Sequence, residues 1–226
     1  FLFYEGLFNK GSRNGEGIEI YSNNEFYIGY FEDNIKSGPG MYFFSNGSVI
    51  KGLFKNNKIN GYGELKNIDN KLIYKGNWIN NKKHGLGYEI TTDEEYIGEF
   101  VNDIKEGYGE WKNCNGLIYK GQWKNNNKNG YGMIKQTNNI YFGFFESDKI
   151  IKLIKEEEYN QIDIKTNKLE INYCFKNQCK MFRQRYQFIK NSQGWIDIKT
   201  LTLRTDPLKA LGNFEGSKWL KNTFRK

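Results

Sequence analysis

The chain has 226 residues, a formal net charge of +8 and an aromatic content of 17%. It contains no apolar run long enough to span a bilayer and no charged-then-apolar signal segment, so neither a transmembrane protein nor a secreted precursor is expected. Its three cysteines do not form the even framework of a disulfide-rich secreted domain. This favours a reducing, cytoplasmic compartment.

An aromatic-x-Gly-x-aromatic pattern returns every 22 to 24 residues, and in six copies a Gly-x-Gly pair follows it after six residues. The openings are Tyr4-Gly6-Phe8, Tyr27-Gly29-Phe31, Ile50-Gly52-Phe54, Tyr74-Gly76-Trp78, Tyr96-Gly98-Phe100 and Tyr119-Gly121-Trp123. A seventh opening, Tyr141-Gly143-Phe145, lacks the pair. A fixed period of this size predicts an elongated stack of repeats in which each unit contacts its neighbours.

Each repeat is predicted to contribute two short antiparallel strands. The three opening residues are spaced by two, so they lie on one face of a strand. Turn residues such as Ser22-Asn23-Asn24 and Ser45-Asn46-Gly47 precede the next opening, as in a β-hairpin. Glycine within a strand predicts that an aromatic side chain, most naturally from the adjacent unit, packs closely on its backbone.

The connector between each opening and its Gly-x-Gly pair is constant in length. Its third residue is Gly, Asn or Asp in every copy: Gly11, Asn34, Asn57, Asn81, Asp103 and Asn126. These residue types tolerate a positive φ, so a left-handed residue is predicted at this position in each repeat.

The fourth unit, Tyr74-Lys-Gly76-Asn-Trp78-Ile-Asn80-Asn-Lys82-Lys-His84-Gly85-Leu-Gly87, resembles the MORN (membrane occupation and recognition nexus) repeat. The usual pattern of that repeat is Tyr-x-Gly-x-Trp-x-Asn-Gly-Lys-x-His-Gly-x-Gly. The resemblance covers about residues 3 to 146. It implies a twisted, single-layer antiparallel β array that acts as a rigid scaffold in cytoskeletal, axonemal or membrane-associated complexes. The chain departs from the pattern with Asn at the turn glycine and with Ile50 at one opening tyrosine.

Residues suited to catalysis or metal binding are not grouped along the chain. His84 is the only histidine and occupies the connector position of the resembled repeat. Cys174 and Cys179 are separated by four residues, with no second pair to complete a zinc site. The Gly-x-Gly pairs recur with the period and precede strands, so they are predicted to be structural rather than phosphate-binding. No catalytic residue, metal or cofactor is expected.

The aromatic residues are predicted to pack on one another and also to form a groove for a protein partner. The predicted groove is lined by Phe8, Phe31, Phe54, Trp78, Phe100 and Trp123, and is extended by Tyr62, Tyr108 and Tyr131. The fifth connector position carries Arg13, Lys36, Lys83, Lys105 and Lys128. This row predicts either a basic rim or a solvated edge that discourages aggregation.

Charge divides the chain near residue 150. Residues 1–150 contain 18 basic and 18 acidic side chains, whereas residues 151–226 contain 16 and 8. We therefore predict an array of six complete repeats and a partial seventh over 1–150, and a small mixed α/β capping or interaction region over 151–226. Alternation over 162–175 predicts a capping hairpin, while 176–194 fits both a helix and a strand. The predicted basic contact comprises Lys180, Arg183, Arg185, Lys190, Lys218, Lys221, Arg225 and Lys226.

These patterns favour a non-enzymatic scaffold that presents the aromatic groove and the basic C-terminal region to protein partners in a larger assembly. One alternative is a peripheral module that binds anionic membranes containing phosphoinositides. A second is a regulatory segment of a larger enzyme, which the resemblance implies through MORN-bearing lipid kinases and methyltransferases. Nucleic-acid binding by the basic region is a weaker alternative. No small-molecule substrate is expected, and the predicted location is cytoplasmic, with cytoskeletal or membrane association.

Overall fold

The computed structural model describes residues 2–162, which form fourteen β-strands and one short helix. The elements are β1 (Phe3–Asn9), β2 (Ser12–Ile20), β3 (Phe26–Glu32), β4 (Ile35–Phe43), β5 (Val49–Lys55), β6 (Lys58–Lys66), β7 (Leu72–Ile79), β8 (Lys82–Ile90), β9 (Glu94–Val101), β10 (Ile104–Asn113), β11 (Ile118–Lys124), β12 (Asn127–Gln136), β13 (Asn139–Glu146), β14 (Lys149–Ile154) and α1 (Glu156–Gln161). The strands follow one another in sequence order in a single antiparallel sheet. The predicted all-β repeat array is therefore confirmed.

The described chain divides into two compact units, residues 2–58 with 65–72 and residues 59–64 with 73–162. Within each unit, the strand register sets the repeat glycines opposite one another. In the first unit the paired glycines are Gly6, Gly17, Gly29, Gly40 and Gly52. In the second they are Gly76, Gly87, Gly98, Gly109, Gly121, Gly132 and Gly143. Antiparallel pairing thus turns a sequence period into a row of glycines across the strands.

The connector predicted to contain a left-handed residue contains two in succession. Asn56 and Asn57, for example, have φ angles of 53° and 65°. Positive φ at both central residues is the pattern of a type I′ turn, which matches the right-handed twist of a hairpin. All six predicted third-position residues have positive φ, as does Asp148 in the seventh repeat. The prediction of a left-handed turn residue is confirmed.

These turns also join each repeat to the one before it. The backbone N–H of Asn57 donates to the Lys36 carbonyl at 3.2 Å, and the Asn57 Oδ1 accepts from the Lys36 backbone N–H at 2.9 Å. The same reciprocal pair links Asn81 to Ile59 at 3.1 and 2.9 Å. It recurs at Asn34, Asp103, Asn126 and Asp148. The turn residue thus bonds to the preceding hairpin through both its backbone and its side chain.

The opening tyrosine of each repeat lies over the glycines of its own repeat. A Cβ on Gly121 would lie 2.5 Å from the Tyr119 hydroxyl oxygen, and one on Gly132 would lie 2.5 Å from the ring carbon Cε2. The hydroxyl donates to the Gln122 carbonyl at 2.8 Å. The prediction that an aromatic packs on the glycines is correct, but at these glycines the ring belongs to the same repeat and not to the adjacent one. The reason is the register, which brings both glycines beside that tyrosine. Gly63 follows the prediction, since a Cβ there would lie 3.1 Å from Nε1 of Trp78 in the next repeat.

Each tyrosine also contacts two aromatic rings, one from its own repeat and one from the next. Tyr27 lies 5.3 Å from Phe31 and 4.9 Å from Phe54, both edge to face. The same alternation continues through Tyr4, Tyr74, Tyr96 and Tyr119 at 4.9 to 5.4 Å. T-shaped pairs at these separations are favourable beyond the area they bury. We call the side of the sheet that bears these rings the ring face, and the other side the reverse face.

The reverse face of the first unit holds an apolar core. Seven buried residues form it: Ile18, Ile20, Phe26, Ile28, Met41, Phe43 and Val49. Phe26 and Phe43 stack with ring centroids 4.1 Å apart. Alternation along the strands sends these side chains away from the ring face.

The seventh repeat ends the ring pattern. Gly143 pairs with Gly132 on β12, but on the β14 side its partner is Leu153 instead of a second glycine. A Cβ on Gly143 would lie 3.1 Å from Ile150 Cγ2. Without a glycine pair to receive its ring, Tyr141 is 42% exposed. The predicted capping hairpin over 162–175 and the regions beyond it lie outside the described residues, apart from Ile162 itself. The domain boundary near residue 150 stays a prediction.

Candidate functional site

The basic side chains at the fifth connector position lie over the rings of the ring face. Lys83 Nζ is 5.1 Å from the Tyr74 ring centroid, and Lys105 Nζ is 4.8 Å from that of Tyr96. Arg13, Lys36 and Lys128 cover the tyrosines of their own repeats at 5.2 to 5.7 Å. All five side chains are only 10 to 19% exposed. They form neither of the two predicted arrangements, an open basic rim or a solvated edge, because cation–π attraction draws them onto the rings.

Two carboxylates, the half-buried Glu89 and the buried Glu19, partly neutralise this row of cations. Glu89 pairs with Lys83 and, at 3.2 Å, with Lys105 of the next repeat. Burial tends to raise the pKa of Glu89, but the hydrogen bond from Lys83 and the charges of both lysines outweigh it and lower the pKa. Glu19 lies in the same way between Arg13 at 2.5 Å and Lys36 at 2.9 Å. One carboxylate is thus shared by two cations at each of these places, and it compensates half of their charge.

The third repeat replaces both partners of the cation–π contact with isoleucine. Ile50 stands where the other repeats have tyrosine, and Ile59 stands where they have Arg or Lys. Both side chains are buried, to 5% and 2% exposure. An ammonium group at Ile59 would be buried without the tyrosine ring of its own repeat beneath it, so loss of that ring and loss of the charge are physically linked.

The rings of the predicted groove are mostly buried. Phe31, Phe54, Trp78, Phe100 and Trp123 are 1 to 6% exposed, whereas Phe8 is 61% exposed. Trp78 Nε1 donates to the Gly63 carbonyl at 3.3 Å, and Trp123 Nε1 donates to the Gly109 carbonyl at 3.2 Å. Two roles were predicted for these aromatic residues, and their burial agrees with the first, packing on one another. Contact with a partner stays a prediction.

Tyr62, Tyr108 and Tyr131 do not extend the row of rings, because they lie on the reverse face. Tyr131 packs against Phe144 at 5.1 Å, while the next residue, Phe145, packs against Tyr119 on the ring face. The prediction of one continuous surface is therefore wrong. Each of these tyrosines directly precedes a glycine that faces the ring side, so strand alternation in the sequence already carried the signal.

The reverse face of the second unit carries an aromatic patch. It comprises Tyr108, Tyr131, Phe142 and Phe144, with Leu86 and Ile97 beside them, and we call it the Tyr108 patch. Tyr108 is 5% exposed, but Phe144 is 38% exposed. Phe142 and Phe144 were not among the predicted site residues. Their signal was the run Asn-Ile-Tyr-Phe-Gly-Phe-Phe-Glu of β13, which is aromatic on both faces.

Helix α1 lies against this patch. The Tyr159 ring centroid is 4.7 Å from that of Phe142, and the Tyr159 hydroxyl donates to the Lys120 carbonyl at 3.4 Å. Tyr159 and Ile162 both pack against Tyr108. Burial raises the pKa of Tyr159 to about 12. The chain therefore brings its own aromatic residue to the Tyr108 patch.

The predicted basic contact, from Lys180 to Lys226, lies outside the described residues. Residues 2–162 contain no group of three or more His, Cys, Asp or Glu side chains placed to hold a metal ion. His84 Nδ1 is buried without a hydrogen-bond partner there, and the Cys114 thiol is free and exposed. The single helix of this part of the chain is too short and too polar to cross a bilayer.

Comparison with known protein families matches six segments of the chain to the MORN repeat. The matched residues are 4–25, 27–49, 51–69, 74–93, 96–118 and 119–139. A search of curated proteins found no significant match. The six segments correspond to the six repeats that carry a Gly-x-Gly pair, and together they cover more than half of the chain. The chain belongs to the MORN-repeat family.

Proposed function

We propose that this chain is a non-enzymatic scaffold that binds protein partners through the Tyr108 patch. MORN repeats are often protein-binding or membrane-binding modules. We choose this surface because the Tyr108 patch is partly exposed: Phe144, which packs beside Tyr131, is 38% exposed. Apolar aromatic surface that remains accessible on a folded protein commonly marks an interaction site.

Two further features support protein binding over lipid binding by the array. Residues 1–150 carry equal numbers of basic and acidic side chains. Lys83 and Lys105 lie over aromatic rings and share Glu89, so little of their charge is available to an anionic surface. Attraction to anionic lipid depends on unpaired basic side chains near the membrane.

The proposed mechanism is positioning. A β array that is hydrogen-bonded from repeat to repeat holds its surface side chains in fixed places, so a partner bound to the Tyr108 patch is held at a set position relative to the neighbouring repeats of the second unit. We place this activity within a larger cytoskeletal, axonemal or membrane-associated complex. The basic region over 151–226 would provide a second contact.

The test is partner capture by the full chain and by two matched variants. Phe144→Ala removes an exposed ring from the Tyr108 patch, and Tyr141→Ala removes an exposed ring from the ring face of the same strand. We expect Phe144→Ala to lose at least about ten-fold in affinity for a stoichiometric protein partner, as removal of an interface hot spot does, and Tyr141→Ala to retain it. Quantitative mass spectrometry of the captured proteins measures both effects.

Equal capture by both variants would remove the Tyr108 patch as the site. Absence of any stoichiometric protein, together with sedimentation on vesicles that contain phosphoinositides, would favour the membrane alternative. Both variants should keep the melting temperature of the original chain within a few degrees, because neither side chain belongs to the buried core: Phe144 is 38% and Tyr141 is 42% exposed.

A further inference from the structure

The contact between α1 and the Tyr108 patch has the features of a bound ligand. Tyr159 places its ring on Phe142 and its hydroxyl on the Lys120 carbonyl. Ile162, three residues later, packs against Tyr108 beside it. An aromatic and an aliphatic residue at this spacing project from the same side of a helical turn. The patch therefore receives two anchors from one short segment.

This segment is held by few interactions. Helix α1 has six residues, none of them buried, and the N-cap residue that precedes it, Lys155, makes no side-chain capping hydrogen bond. A helix of this length is not stable on its own in water. Its retention therefore depends mainly on Tyr159 and Ile162, so a competing segment with similar anchors could replace it.

The patch is also larger than the segment that lies on it. Phe144 packs edge to face against Tyr131 yet stays 38% exposed. Lys152 is paired across the ladder with Phe144, and its side chain is exposed. Uncovered aromatic surface with a cation beside it suits a ligand that combines an aromatic ring with negative charge.

The segment that lies on the patch, residues 155–162, already combines an aromatic ring with negative charge. Glu156, Glu157 and Glu158 precede Tyr159 and are exposed on the first turn of α1. Carboxylates at that end also favour the helical form, because they compensate the helix dipole.

We propose that the segment of residues 155–162 is an internal occupant of the Tyr108 patch, and that the partner replaces it with a short acidic segment carrying an aromatic residue followed three positions later by an aliphatic one. This inference rests on the proposed protein-binding function. Occupation by a tethered segment weakens binding of an outside ligand in proportion to the occupied fraction of the patch. The segment thus sets a threshold that a partner must exceed.

The test uses a fluorescent peptide with the sequence of residues 155–162, Lys-Glu-Glu-Glu-Tyr-Asn-Gln-Ile, titrated with the full chain. Fluorescence polarisation is measured for the original chain, for Tyr159→Ala and for Tyr141→Ala as a matched loss of a tyrosine elsewhere. We expect Tyr159→Ala to bind the peptide about ten-fold or more tightly than the other two chains, because the competing internal segment has lost its main anchor. A peptide with alanine in place of its tyrosine should not bind.

Equal affinity of the original and Tyr159→Ala chains, or no saturable binding by Tyr159→Ala at millimolar concentrations, would overturn the proposal. If Tyr159→Ala does not fold, Ile162→Ala removes the second anchor and gives the same comparison. Adding Phe144→Ala to Tyr159→Ala should abolish peptide binding. Binding that survives this change would place the peptide elsewhere and would also overturn the proposal.

The peptide-binding test and the partner-capture test can give different results, so each proposal can fail without the other. Loss of partner capture in Phe144→Ala without peptide binding would keep the patch and reject the internal occupant. Peptide binding without any effect of Phe144→Ala on partner capture would keep the internal contact and reject the patch as the partner site.

Discussion

At the third connector position, one side chain sets both the turn and the bond to the preceding repeat. Asn57 adopts a φ of 65° while its backbone and its Oδ1 both bond to Lys36. Glycine, which the usual MORN pattern has here, can adopt this φ but has no side-chain acceptor. The departure of this chain toward Asn and Asp thus adds one hydrogen bond at each join between repeats.

Substitution of Asn57 separates these two contributions. Asn57→Val should lower the free energy of unfolding by more than about 1 kcal/mol, because a β-branched residue resists positive φ and also loses the acceptor. Asn57→Gly should lose only the hydrogen bond, on the order of 1 kcal/mol, and so be the milder change. Urea unfolding of the full chain measures both. A Val variant as stable as the Gly variant would contradict the role of the left-handed conformation.

The depressed pKa of Glu89 predicts a pH dependence of stability. A carboxyl whose pKa is lower in the folded state stabilises the protein above its ordinary pKa of 4.5, and this contribution is lost as the pH falls through the folded pKa. Glu89→Gln should therefore lower the melting temperature at pH 7 and have progressively less effect below pH 4.5. Thermal unfolding from pH 7 to 3 tests this, with the exposed Glu156→Gln as control. A constant difference across that range would argue against the ion pair.

At the scale of the element, the glycine pair explains why each hairpin can carry a tyrosine that is almost fully buried on a sheet surface. Tyr119 is 0% exposed because its ring lies against the backbone of Gly121 and Gly132, with Trp123 and Phe145 at its edges. Tyr141, which lacks the second glycine, is 42% exposed. Burial of the tyrosine ring in each repeat thus requires glycine, which has no side chain, at two positions that face each other on neighbouring strands.

Gly132→Ala tests this requirement. The new Cβ would meet the Tyr119 ring, so we expect a loss of about 2 kcal/mol in the free energy of unfolding and increased exposure of the ring. Gly116→Ala is the control, since a Cβ there meets nothing within 4 Å and only its positive φ of 79° is strained, at a cost of about 1 kcal/mol. Chemical denaturation gives both values. A Gly132→Ala variant no less stable than the control would reject the packing role.

At the scale of the whole chain, charge is unevenly distributed. Residues 1–150 are balanced, and their connector cations lie over rings and pair with carboxylates such as Glu19 and Glu89. The excess of positive charge belongs to residues 151–226. An unbalanced positive segment attracts acidic partners over a distance set by ionic strength.

Charge reversal of Arg183 and Arg185 tests the contribution of the basic region. We expect the double change to Glu to weaken partner binding and to reduce its salt dependence, because long-range attraction is lost. The melting temperature of the array should stay unchanged. Affinity measured at two salt concentrations gives the result, and binding unaltered at both would remove the basic region from the proposed contact.

The repeat, its two strands and its left-handed turn residue can all be read from the amino-acid sequence. These features follow from local chemistry that recurs with the period, such as Asn at the third connector position and glycine between two aromatics. Strand alternation was equally local, so the placement of Tyr62, Tyr108 and Tyr131 on the reverse face was also available from the sequence.

How the side chains of different strands meet depends on the three-dimensional arrangement and is not marked in the sequence. The placement of Lys83 over Tyr74 and the sharing of Glu89 between two repeats depend on register between neighbouring strands. The contact of Tyr159 with Phe142 and with the Lys120 carbonyl joins residues 17 and 39 positions apart. No periodic signal marks such a contact, because it arises once and depends on where α1 follows the last strand. Packing between distant residues therefore selected the candidate site within a fold that local patterns had already specified.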